Sequence, residues 1–406
     1  MKDSLVYLDN NSTTPIDPKV LDAMLPYFTQ HYGNAASRSH AFGWIADEAV
    51  KRSRAMIAKF IGAEDNEIIF TSGSTEAINL AIKGVAEAYH AKGKHIVTIA
   101  TEHKAVLDTC KHLESLGHEI TVLPVLEDGM IDLNVLEKAI RNDTILVCAM
   151  LANNETGVIL PIDQIAEIVH AKNSILFCDA TQAGGKIRTD VYDLKADLLC
   201  LSAHKMYGPK GVGMLYVRRK NPRVTLIAQI DGGGHERNLR SGTLNVPGIV
   251  GFAKACELAH EELMEMNGTM SILRTRLEQA MCDLGASING NIKHRLPNTS
   301  NLTFHGKKAD EIMKAIPSVA MATGSACSSA LPEPSHVLTA MGLKEKDAYA
   351  SIRFSLGRFN TGEEIEEAIL LISEFFFNTE KIEKKREKKE KLLFFPFFSV
   401  NSVFNF

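Results

Sequence analysis

The sequence predicts an α/β fold whose mostly parallel sheet is covered by helices on both faces. Three observations carry this. Between about residues 67 and 220, short apolar runs alternate with helix-length amphipathic segments. The helical segments begin on capping residues and stop on Gly or Asn. The chain has 406 residues, 45% of them hydrophobic, enough for a large core divided between two lobes.

Taken in order, "LVYL" reads as a short strand that runs into the turn residues "DNNSTTP". The strand candidates of the sheet are "EIIFTSG", "HIVTIA", "EITVLPV", "TILVCAML", "SILFCDA", "ADLLCLSA" and "GMLYV". Helix patterns such as "STEAINLAIKGVAEAYHAKG" and "PIDQIAEIVHAKN" lie between them, the rhythm of a parallel sheet with crossover helices. The Gly-rich stretch "DGGGHERNLRSGTLN" leads into a long helical region from about residue 246 to 284, where the lobe boundary is expected. The second lobe contains strand-like "NTSNLTF" and "SIRFSLGRF", with "TGSACSSALPEPS" between them. Beyond about residue 378 the charge-dense "EKIEKKREKKEK" reads as a solvated helix end. The aromatic "LLFFPFFSVNSVFNF" after it is too short and too interrupted by Pro396 to span a bilayer.

Composition narrows the function classes. A formal net charge of -4 gives no general attraction to nucleic acid or acidic lipid, and the body of the chain carries no basic patch. Seven cysteines without a C-x-x-C pair argue against a disulfide framework and a Cys-rich zinc site, so no metal is expected and a reducing compartment is inferred. The start "MKDSLVYLDNNSTTP" has neither an apolar signal core nor an Arg-rich leader, so a cytoplasmic protein without membrane contact is expected.

Ligands on such a sheet bind beyond the carboxyl ends of the strands, which selects residues 71–75, 102–103, 153–155, 179–182 and 202–205. In "LSAHKMYGPKGVG", Lys205 follows a buried strand and is placed to form a Schiff base with a carbonyl, although lysines also snorkel from such positions. Asp179 in "CDATQ" ends the preceding strand; it either caps a helix or meets a cation such as a protonated pyridine nitrogen. "TSGSTEAINLAIKG" joins a strand to a helix start, where backbone amides with Ser74 and Thr75 hydroxyls would seat a phosphate or simply cap the helix. Together these residues match what pyridoxal phosphate requires, and His103 in "ATEHKAV" would add an imidazole over its ring. Cys327 differs from Cys148, Cys178 and Cys200, which sit inside apolar runs. Its small, polar neighbours fit either a mobile, nucleophilic thiol or an ordinary surface loop.

The ordered motifs "YLDNNSTTP", "HYGNAASRSH", "FTSGSTEAINLAIKG", "TEHKAV", "NNETG", "CDATQ", "SAHKMYGPKGVG", "GGGHERNLRSGT", "GSACSS" and "SIRFSLGRF" resemble the pyridoxal-phosphate cysteine desulfurases of the class-V aminotransferase, fold-type I group. The resemblance runs to about residue 375 and implies a large cofactor-binding domain over residues 15–260. A smaller α+β C-terminal domain over residues 261–378 carries the cysteine loop. Residues 1–14 would pack with the small domain; beyond the resemblance, the composition of residues 379–406 reads as an atypical, disordered tail. It makes Lys205 the lysine that bonds the pyridoxal 5'-phosphate aldehyde and moves the Cα proton. Asp179 would pair with the ring nitrogen, Gln182 and Asn154 would bond the ring oxygen and substrate, and His103 would stack on the ring and assist proton transfers. Ser74, Thr75, Ser202 and His204 would hold the phosphate, joined by Thr243 of the partner subunit in a homodimer.

Arg353 would clamp the substrate carboxylate, whereas a surface salt bridge is a fair reading of Arg358. The implied reaction converts L-cysteine to L-alanine and leaves a persulfide on Cys327 for sulfur-acceptor proteins such as an iron–sulfur scaffold, with tRNA thiolation a further outlet. A selenocysteine lyase or another β-lyase on the same cofactor is the alternative. Two features depart from the family pattern. Pro332 stands in "SSALPEPS" where the family more often reads Ser-Leu-Glu-Pro, and the tail does not match the usual scaffold-docking end.

Overall fold

The computed structural model describes residues 5–324 and 334–393, leaving the side chains of Met264 and of residues 378–393 undescribed. Strand β1 (Val6–Tyr7) and helices α1 (Pro18–Met24), α2 (Pro26–Thr29) and α3 (Ala41–Phe60) precede the main sheet. That sheet contains β2 (Ile68–Thr71), β3 (His95–Ile99), β4 (Glu119–Leu123), β5 (Thr144–Met150), β6 (Ile175–Asp179), β7 (Leu198–Ser202) and β8 (Gly213–Val217). Helices α4 (Ser74–Ala88), α5 (Lys104–Ser115), α6 (Leu133–Ala139) and α7 (Ile162–Ala171) alternate with its strands. Every apolar run assigned to the sheet from the sequence is a strand of it.

The strand order is β2-β8-β7-β6-β5-β3-β4, parallel except that β8 runs antiparallel to both neighbours. The exception has a length cause: residues 203–212 are too few for a crossover helix, so the chain after β7 must return beside it as a hairpin. Side chains of successive strand residues alternate between two cores. Phe70, Val97, Val147, Cys178 and Leu201 face α3, α7 and the first half of a later long helix, whereas Ile69, Ile96, Cys148, Phe177 and Cys200 face α4 and α5. Burial on both faces explains why these strands read as continuous apolar runs.

After the turn α8 (His235–Asn238), helix α9 (Val246–Asp283) spans about 57 Å. Its first half, with Ile249, Phe252 and Cys256, packs in the main core, and its second half, with Leu277 and Met281, packs in a separate one. That second core lies on an antiparallel sheet, order β12-β10-β9, made of β9 (Ser287–Ile288), β10 (Thr299–Thr303) and β12 (Ser351–Ser355). Helix α10 (Ala309–Ala315), strand β11 (Val319–Ala320) and helices α11 (His336–Ala340) and α12 (Glu345–Ala348) precede β12, and α13 (Gly362–Leu393) follows it. Strand β1 pairs in parallel with β11, and its neighbours Val6 and Leu8 sink into the second core, so the chain's beginning is laid against its later half.

The α13 backbone stays helical through Leu393, across the charge-dense segment read as a helix end, whose Glu, Lys and Arg are strong helix formers. Residues 394–406 and the expected cysteine loop, residues 325–333, lie outside the described residues.

Candidate active site

The registers bring the carboxyl ends of the central strands level: Met150 pairs with Asp179, Asp179 with Cys200, Ser202 with Gly213 and Gly213 with Thr71. Above them opens a cavity of about 540 Å³, within the size range of small-molecule sites. Its lining includes Ser74, Thr75, His103, Asn154, Asp179 and Gln182 as well as Ser202, His204, Lys205 and Arg353. Of the residues selected from the sequence, Thr243 is exposed and does not line this cavity, and Cys327 lies outside the described residues. Thr323 and Gly324, which lead towards Cys327, form part of the wall.

Lys205 ends the 3-10 turn that follows β7. Its Nζ donates to the carbonyls of Asn11 at 2.7 Å and Ser12 at 2.6 Å. The N-terminal "DNNSTTP" turn thus forms the floor beneath the lysine. The resemblance implies that residues 1–14 pack with the small domain; that this turn also lies under the lysine has no local sign in the sequence.

Asp179 is 5% exposed, and its Oδ1 accepts from the Thr181 N–H at 2.9 Å and the Cys200 thiol at 3.4 Å. Thr181 Oγ1 is 2.6 Å from Ser74 Oγ, tying the turn after β6 to the start of α4. The residue before α4, Gly73, supplies no side-chain cap. The first amides of α4 are therefore left for an anion, with the helix dipole favouring it. Capping by Ser74 or Thr75, the ordinary alternative, is not what this helix uses, since both lie inside it.

His103 caps α5 by accepting the Ala105 N–H on Nδ1 at 3.1 Å, so the proton of a neutral ring sits on Nε2. Burial holds its pKa below the usual imidazole value despite the opposing Asp179 charge. His204 approaches Thr13 Oγ1 with Nδ1 at 3.1 Å. Burial, aided by the charges of Lys205, Lys210 and Lys186, lowers it to about 4. Asn154 Oδ1 is buried and, among the described residues, has no hydrogen-bond partner, leaving an acceptor open in the cavity.

Gln182 donates through Nε2 to Asn11 O at 2.9 Å. Arg353, on β12, donates to Asp9 Oδ1 at 2.6 Å, Ser12 Oγ at 2.8 Å and Asn154 O at 2.9 Å, while its buried Nε has no partner. It is a buried bridge between the two cores that still reaches the cavity. Arg358 corrects the sequence reading of a surface salt bridge. Its side chain is 8% exposed, pairs with Asp17 and Glu262, and lies 4.3 Å from the Tyr207 ring centroid. The reason is the N-terminal segment, which delivers Asp17 to the lobe junction and covers the guanidinium.

Glu155 also went unremarked beyond its strand-end position. Its buried carboxylate accepts from Ser335 Oγ, and burial raises its pKa.

Comparison with known proteins extends the geometry. Residues 6–368 match the family described as aminotransferase class-V. A cysteine desulfurase IscS of Anaeromyxobacter sp. (strain Fw109-5) is 54% identical over 385 residues, covering 94% of this chain and 93% of its own. The cysteine desulfurase IscS of Dechloromonas aromatica (strain RCB) is 49% identical with the same coverage. Among solved structures, a NifS-like protein superposes with a TM-score of 0.86 at 39% identity, covering 91% of this chain and 99% of that one. SspA, solved in complex with cysteine, superposes with a TM-score of 0.78 at 36% identity over 88% of this chain and 100% of its own.

Proposed function

The chain belongs to the aminotransferase class-V family and is a cysteine desulfurase, and from that premise we propose that it works as a pyridoxal 5'-phosphate enzyme that loads sulfur onto Cys327. One observation carries the reading: an amine, a buried carboxylate and an uncapped helix N-terminus, from Lys205, Asp179 and α4, converge on one cavity. The residues present fit the group. The α4 amides with Ser74, Thr75, Ser202 and His204 suit a phosphate dianion, Asp179 suits a protonated ring nitrogen, and the unpartnered Asn154 Oδ1 awaits a donor.

When bound, the pyridoxal group would supply an electron sink for charge developing at the substrate Cα. Lys205 would hold its aldehyde carbon and, once released, take the Cα proton of L-cysteine. His103, neutral because it is buried, would stack on the ring and help return protons. Arg353 would receive the substrate carboxylate through its remaining N–H capacity. The Cys327 thiolate would then attack the substrate sulfur: a new S–S bond forms as the Cβ–S bond breaks. The electron pair stays on Cβ and is protonated to give L-alanine.

Gly324, three positions before Cys327 in the sequence, lies on the cavity wall, which supports this reading. The persulfide would pass to sulfur-acceptor proteins, including an iron–sulfur scaffold. Among the described residues no helix is long and apolar enough to cross a membrane.

The test combines a spectrum with a mass. Cofactor addition should produce visible absorption that Lys205→Ala lacks, with turnover falling by about 10⁴ or more. After exposure to cysteine, the Cys327 peptide should gain one sulfur while alanine accumulates. Full cysteine activity in Cys327→Ser would reject persulfide formation, and selenium release spared in that variant is the outcome expected of a selenocysteine lyase.

A further inference from the structure

Lys186 has no place in the reaction just described, yet it is only 6% exposed and lies directly behind the cavity. Its Nζ donates to Gln182 O at 3.0 Å, Gln182 Oε1 at 3.3 Å and Lys205 O at 3.5 Å. Among the described residues these partners are all neutral carbonyl oxygens. Burying a lysine amine without a carboxylate is costly, so the site must use what the amine donates.

The Gln182 carboxamide has one acceptor edge and one donor edge, and these can be exchanged by a simple flip. Here the acceptor edge is held by Lys186. The donor edge points to Asn11 O at 2.9 Å, the carbonyl that also receives the Lys205 amine at 2.7 Å. Of the two N–H groups on Gln182 Nε2, one is committed to Asn11 O and the other is left for the cavity beside the reactive lysine, while its oxygen is turned to Lys186.

We propose that Lys186 is a positioning residue: by occupying Gln182 Oε1 it fixes the carboxamide so that the cavity meets a donor, and it thereby favours an oxyanion beside Lys205. Resting on the pyridoxal reading above, the oxyanion is the phenolate oxygen of the cofactor ring. Burial and the neighbouring charges of Lys205 and Arg353 bring Lys186 down to about 7. A protonated amine offers three N–H donors and a neutral one two, and two suffice for both oxygens of Gln182. The restraint therefore survives loss of the proton.

The experiment uses full-length holoenzyme and the pH midpoint of its visible absorption change, a readout that needs no turnover. Losing a donor to the phenolate makes the protonated form of the lysine–cofactor linkage relatively more stable. Lys186→Met should thus raise the midpoint by about 0.5–1 pH unit, roughly three- to tenfold in proton affinity. Gln182→Leu should raise it at least as far, and the double variant should match Gln182→Leu alone. An unchanged midpoint in Lys186→Met, or a double variant shifted by the sum of the two, overturns the proposal. Should the methionine variant fail to fold, Lys186→Gln keeps a polar side chain but is too short to reach Oε1, and the same shift is required of it. Absence of a Lys205-dependent visible band in the wild type would instead overturn the pyridoxal reading itself, a separate failure.

Discussion

Beside Lys205, burial lowers the proton affinity of two basic groups, Lys186 and His204. His204 illustrates the consequence, with its pKa lowered from 6.5 to about 4 by burial and by the facing lysines 205, 210 and 186. The folded ring stays neutral where the unfolded ring takes a proton. Stability from this group is therefore complete above about pH 6.5, is lost as the pH falls towards 4, and falls no further once both states are protonated. Allowing for solvent around a partly exposed ring, the loss is about 1–2 kcal/mol. In cofactor-free protein, His204→Asn should lack this component: its melting temperature relative to wild type should rise between pH 6.5 and 4. A difference that stays constant with pH would show the ring is not held neutral. Lys205, Asp179 and His103 were legible one by one in the sequence because each ends an apolar run. The Lys186 contact with Gln182 was not, since a lysine in "AGGKIR" gives no local sign of being buried.

At the scale of elements, the anion seat depends on two backbones touching. Gly73, with φ of 151°, turns β2 into α4 in a conformation that side chains disfavour. It meets Gly213 at the start of β8, where a Cβ would stand 2.7 Å from Gly73 Cα and 2.6 Å from Leu201 O. Neither contact is with a side chain that can swing away. Gly213→Ala should therefore push the turn off its position, costing about 1–3 kcal/mol of stability. The displaced α4 amides should lower cofactor affinity about tenfold or more, measured by fluorescence titration of cofactor uptake. Unchanged affinity would mean that the turn does not set the anion seat. Sequence alone marked "TSGST" as a strand-to-helix junction. It could not show that the cap position carries no side chain bond, because that depends on which neighbouring strand presses on the glycine.

At the scale of the whole molecule, the stretch from α1 to the start of α3 exposes many large apolar side chains. Leu21, Leu25, Phe28, Tyr32, Phe42, Trp44 and Ile45 are all exposed, with Tyr32 at 65% and Trp44 at 59%. Such a patch on a chain of this size marks an association surface. It accords with the proposed homodimer, in which Thr243, exposed and away from its own cavity, would serve the partner's phosphate. The double variant Phe28→Asp with Trp44→Asp should sediment as a monomer. It should also hold the cofactor about tenfold more weakly, the loss expected when one phosphate contact disappears. A variant that remains dimeric would place the interface elsewhere.

The seven sheet strands and the strand-end positions of Lys205, Asp179, His103 and Ser202 followed from the sequence by itself, because alternation of apolar runs with capped helices has few compact solutions. Tertiary structure alone decided that the N-terminal turn lies under Lys205 and that Asp17 pairs with Arg358. It also brought the Lys186 amine onto the Gln182 carboxamide. These depend on contacts between segments far apart in the chain, whose partners are chosen by the packing of the whole core and not by any local pattern.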